Sequence, residues 1–141
     1  MGMADLTGKT WMAAGETDDP NALIERFEAA AAITKGDPVY LSADDKVSPA
    51  TSAQDCIGIA VKSVSAGEIC PVLIRGRVKV VAGGAITRGK AVYGADSSKR
   101  VLALPDINEG GTSIISWTRK LGWALESASA AGDLIFIYVE K

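Results

Sequence analysis

The chain has 141 residues, 48% of them hydrophobic, with 15 basic and 17 acidic side chains and no histidine. One domain fits that length, and a monomer of this size buries about two thirds of its unfolded surface, enough for a core without metal or disulfide. The charge balance argues against a dedicated nucleic-acid binder, and the lack of histidine removes Ser-His-Asp and Cys-His catalysis and every His-ligated metal site.

Residues 1–21 are rich in Gly, Thr, Asp and Ala and show little periodicity. They read as an extended arm, mobile on its own. Asp5 precedes any apolar stretch, so the start does not read as a signal peptide. No apolar run approaches the roughly 20 residues that cross a bilayer. We therefore expect a protein made in a cytosol and not held in a membrane. Among the large apolar side chains of the arm are Leu6, Trp11 and Met12. A tryptophan with no local core either folds back on the domain or anchors on a partner, and the sequence leaves both open.

Ala22 to Ala29 fits a first strand, with Leu23 and Phe27 on one face; Asp19-Pro20 also suits a helix start. The strand is the favoured reading. Beyond it lies a duplication. Residues 32–40 read AITKGDPVY and residues 85–93 read AITRGKAVY, identical at six of nine positions. Each copy runs into a polar turn. Then Ile57-Gly58-Ile59-Ala60-Val61-Lys62-Ser63 finds its match in Leu121-Gly122-Trp123-Ala124-Leu125-Glu126-Ser127. Each of these leads through a small-residue turn into an apolar strand, Ile69 to Ile74 or Leu134 to Val139.

Two units are too few for a solenoid and suggest halves that bury their apolar faces together. Short strands with glycine turns indicate an all-β fold. Gly58 and Gly122 inside strands indicate a bulge or a close backbone approach. The division is an arm, 1–21, then one duplicated domain, 22–141, with halves at about 22–83 and 84–141. The second half carries an insertion at about 104–118, a glycine pair followed by Ile114, Ile115 and Trp117, too apolar for a plain solvent loop.

Other motifs carry little chemistry. Cys56 and Cys70 flank one hairpin without facing each other, so free buried thiols are expected. Gly84 to Ala91 nearly matches a phosphate-binding loop, but Ala91 stands where a hydroxyl should hold Mg²⁺, and a strand follows instead of a helix. Arg75, Arg77 and Lys79 alternate along one strand. They form either a polar contact face for an acidic partner or a solvated, aggregation-resistant edge. No cofactor, metal or catalytic pair stands out.

The order AAITKGDPVYLSADDKVSPA, IGIAVKSVSAGEICPVLIRGRV, GGAITRGKAVY, LGWALESASAAGDLIFIYV resembles the small capsid cement, or head decoration, proteins of tailed phages and related viruses, over roughly residues 22–141. The resemblance implies a single compact β-barrel or β-clip-like domain on the outer surface of the virion. It implies a non-enzymatic protein that clamps neighbouring major capsid subunits, often as a homotrimer, with no nucleic acid, membrane or small-molecule substrate. On this reading the arm, with Leu6, Trp11 and Met12, contacts the capsid, and Ile114, Ile115 and Trp117 form a subunit interface. A soluble β-barrel that binds a small molecule or sugar is the alternative.

Overall fold

The structure is a computed structural model that describes residues 12–141. Eleven strands form: β1 (Leu23–Ala29), β2 (Pro38–Ala43), β3 (Lys46–Pro49), β4 (Cys56–Ala60), β5 (Ile69–Val81), β6 (Ala91–Gly94), β7 (Val101–Ala103), β8 (Ile107–Glu109), β9 (Thr112–Ile114), β10 (Gly122–Ala124) and β11 (Leu134–Glu140). The described residues are all-β, as the turn pattern requires, and residues 23–29 are strand.

The first half closes into a five-stranded barrel in the order β1-β3-β2-β4-β5, with β5 returning to β1. The β1–β3 contact is parallel (Ala29 beside Val47) and the others are antiparallel. The second half leaves β5 in the order β11-β10-β6-β7. A parallel bridge from Ala82 to Val101 ties the end of β5 back to β7. Thus the 13-residue β5 serves both halves: its first part pairs β1 and β4, its second part β11. Gly76 marks the changeover at φ 129°, where a Cβ would lie 3.0 Å from Ala22 and from Asp19.

Hydrogen bonds repeat at matching positions in the two halves. The Lys35 amide donates to Ser63 Oγ at 2.8 Å, and the Arg88 amide to Ser127 Oγ at 2.9 Å. The Ala29 and Ala82 amides donate to the carbonyls of Glu68 and Asp133. The turn carboxylates of Glu68 and Asp133 accept from the Ser65 and Ser129 amides. Gly58 and Gly122 lie where strands crowd: a Cβ would fall 2.3 Å from the Leu73 carbonyl oxygen in one and 1.9 Å from that of Tyr138 in the other. These are the close approaches expected of glycines inside strands.

Alternation along the strands sends Ala29, Val39, Val47 and Val72 into one core, and Val78, Val80, Val92 and Ile137 into another. Cys56 and Cys70 are free and buried, in the register the hairpin predicts. Burial pushes the Cys56 thiol up to about 12, so it stays a protonated packing group that touches the Gly94 carbonyl.

The structure revises the extent of the arm. Residues 12–21 are tied down as a strap along the second part of β5. The Gly15 amide donates to the Lys79 carbonyl (2.7 Å) and the Lys79 amide to the Glu16 carbonyl (2.9 Å). Thr17 Oγ1 donates to the Arg77 carbonyl (2.5 Å), and the Arg77 amide donates to Asp19 Oδ2 (3.3 Å). Two side chains thereby stand in for backbone partners. An ion pair from Lys35 to Glu16 at 3.1 Å holds the near end of the strap.

Candidate interaction surface

Met12 is 4% exposed and faces the protein, so it is not a free contact residue. Leu6 and Trp11 lie outside the described residues.

The expected basic contact face is absent as such. Only Arg75 is exposed. Arg77 pairs with Asp18 (3.3 Å) and stacks over Phe136, 4.3 Å from the ring centroid. The Lys79 side chain is 2% exposed, with its ammonium 3.2 Å from Glu126 and 4.5 Å from the same ring. A charge this deep requires partners, and the carboxylate and the ring supply them. The edge-protection reading fails too, because β11 and the strap occupy both sides of this part of β5.

The insertion forms a two-stranded hairpin, β8–β9, standing apart from the main sheet. Ile107 and Ile114 pair across it and both remain exposed. Ile115 is half-buried, and Trp117 is 77% exposed. Trp117 forms a wall of a cleft of about 570 Å³ with Tyr40, Leu41, Ile57 and Arg119. Leu41 passes from this cleft into a second of about 600 Å³, floored by Phe27 and rimmed by Asp44 and Asp45. Arg119 passes into a third of about 330 Å³, lined by Tyr93, Leu104 and Ile107. Leu41 and Arg119 each line two of the clefts, so the three adjoin as a trench of separate open clefts. Lys141, an exposed residue on the wall of the middle cleft, donates to the Thr118 carbonyl; partial desolvation of its ammonium holds it below the usual lysine range.

Open clefts with mixed apolar and polar walls beside an exposed tryptophan suit a protein surface. Among the described residues no group of three or more His, Cys, Asp or Glu is placed to hold a metal. No helix of the described residues is long and apolar enough to cross a membrane. The loop from Gly84 to Ala91 leads into β6, with no helix at which a phosphate would sit.

Residues 50–140 match the model of the phage cement protein family. That span is well over half of the chain, and the chain belongs to this family. Its role is accordingly a structural one associated with the phage capsid. Among solved structures, the chain is similar to the N base of head fibre gp8.5 of bacteriophage phi29. The TM-score is 0.58 at 18% identity, covering 84% of this chain and 93% of that one; at that identity the likeness speaks to the fold. No curated protein matches the sequence.

Proposed function

We propose that this protein is a capsid decoration protein that binds the outer surface of the assembled shell, clamps neighbouring major capsid subunits and catalyses no reaction. The observation that carries the reading, beside the family, is the trench. A chain that has already buried two cores still displays adjoining open clefts, with Tyr40, Leu41 and Ile57 in the middle one, and a tryptophan 77% exposed. Contacts made to several capsid subunits at once gain strength through effective concentration, so each need only be modest.

On this reading the residues ahead of the strap, with Leu6 and Trp11, reach a capsid subunit. The hairpin with Ile114, Ile115 and Trp117 joins copies of the chain, with a trimer expected. The domain itself is built from an internal duplication, with halves at about 22–83 and 84–141. The paired hydrogen bonds of the two halves support this.

Co-sedimentation with undecorated, expanded capsids of the source virus tests the function. Saturable binding at a copy number set by the lattice is expected, and failure to bind across a range of salt concentrations would overturn it. Trp117→Ala tests the subunit contact: the native mass should fall at low concentration, whereas the parent's mass would exclude that role. The small-molecule alternative predicts a tight ligand and no capsid binding.

A further inference from the structure

The two halves differ at one matched edge. In the second half, the strap covers the outer edge of β5 at Arg77 and Lys79. The matching residues of the first half, 53 positions earlier in the repeat alignment, are Ile24 and Arg26 of β1. Nothing among the described residues covers them, and Leu23, Ile24, Glu25 and Arg26 are all exposed.

The ladder shows which way their backbone groups point. Arg26 lies opposite Pro71, which has no N–H to give, and the Pro71 carbonyl accepts from Val61 on its other side. Arg26 therefore sits at a position of the ladder that does not bond to β5, and by alternation so does Ile24, opposite Leu73. Their N–H and C=O groups face outward. The edge is short, because β3 joins β1 at Glu28 and Ala29. The second half shows that such an edge accepts a chain segment laid along it, since the strap fits between Arg77 and the Ala82–Val101 bridge through two backbone bonds and the side chains of Thr17 and Asp19.

Charge indicates what the strand carries. The strap is acidic and meets cations: Asp18 pairs with Arg77 of β5, and Glu16 with Lys35 of the loop before β2. In the first half, Lys62 occupies the position of Glu126, and Pro71 that of Phe136. The exchange is consistent. Glu126 accepts from the Phe136 amide as well as from Lys79, and proline has no amide to satisfy. Lys62 and Arg26 consequently have no ion-pair partner among the described residues. A second copy of β1 is a poor occupant. Antiparallel self-pairing through these outward groups, over more than Ile24 alone, sets Glu25 against Glu25 or Arg26 against Arg26, and like charges opposed across strands destabilise.

We propose that the outer edge of β1 at Ile24–Arg26 is a strand-acceptor site for an extended, acidic segment of the capsid subunit, laid antiparallel as the strap lies on β5. This rests on the decoration reading. Backbone bonds would supply attachment and the carboxylates would supply register.

Hydrogen exchange of the free and capsid-bound protein, followed by mass spectrometry, provides the test, together with two edge variants. Arg26→Pro removes one outward N–H and leaves the inward amides of Glu25 and Phe27 in place. Ile24→Glu places a charge of the segment's own sign at the edge without touching the backbone. Circular dichroism establishes that each is folded. Capsid binding should slow exchange in the β1 peptide at least tenfold, and each folded variant should bind capsids at least tenfold more weakly. If the parent binds with β1 exchange unchanged, or the variants bind like the parent, strand addition is overturned and the decoration reading stands. If the parent does not bind, both fall. Protection of β1 that grows with protein concentration in the absence of capsids would assign the edge to a second copy and overturn the capsid-strand assignment.

Discussion

β1 and the second part of β5 occupy matching places in the two halves, yet one is open and the other covered. In β1, residues 23–26 are exposed; in β5, Gly76, Val78, Lys79 and Val80 are buried. The backbone framework is the same, down to the bonds from Ala29 to Glu68 and from Ala82 to Asp133. The difference lies in what packs on top. Glu25 stands where β5 has the core residue Val78, and the Glu126–Phe136 pair that buries Lys79 is replaced by Lys62 and Pro71. One framework thus yields a stable inner strand and a strand edge available to a partner. Three predictions bear on this comparison.

The largest effect is expected at the crowded glycines. Gly122→Ala drives a Cβ into the Tyr138 carbonyl, and Gly58→Ala drives one into that of Leu73. Neither obstacle is a flexible side chain, so each should cost about 3 kcal/mol in urea unfolding. Similar losses at the two sites are expected of equivalent halves. A loss confined to one of them would show that the halves do not share this constraint.

The strap comes next. Thr17→Val with Asp19→Ala removes both side-chain stand-ins from the edge of β5 and should cost about 2 kcal/mol. It should also convert the covered edge into an open one, with concentration-dependent association visible by light scattering. Full stability with unchanged light scattering would mean that the backbone bonds of Gly15 and Glu16 hold the strap unaided.

Much of this framework was legible in the sequence. The words at 32–40 and 85–93, the paired strands at 57–63 and 121–127 and the two buried glycines all signalled repeating strands. The strap was not legible, because its affinity for β5 comes from side chains of Thr17 and Asp19 acting as backbone mimics, and such bonds leave no periodicity. The burial of Lys79 was missed for a related reason. Alternating Arg75, Arg77 and Lys79 is the pattern of a solvated face, and what overrides it lies 47 residues from Lys79, at Glu126. A signal did exist: aligning the repeats puts Glu126 over Lys62, a charge reversal that calls for a cation near one copy only. The trench was half-legible. Trp117 was singled out, but its neighbours Tyr40, Leu41 and Ile57 come from the other half and meet it only in the fold.

The smallest expected effect concerns Asp37, whose match in the second half is the exposed Lys90. Asp37 is 7% exposed. Burial raises its carboxyl above the usual range, against the opposing pull of the Thr34 amide at 2.9 Å and of the Lys99 ammonium at 3.9 Å. A carboxyl raised on folding contributes stability while protonated, below its unfolded value, and loses it as pH rises through the folded value. Its charged form at pH 7 is therefore a liability that the second half, with its exposed lysine, does not carry. Asp37→Asn keeps an oxygen for the Thr34 amide and removes the buried charge. It should be slightly more stable than the parent at pH 7, by less than about 1 kcal/mol. The gap should close as pH falls and the parent's carboxyl takes up its proton. Urea midpoints for both proteins between pH 4 and pH 8 read this directly. A variant less stable than the parent at pH 7 would mean that the Lys99 contact outweighs the burial of Asp37, and that the charge on this turn holds the first half together.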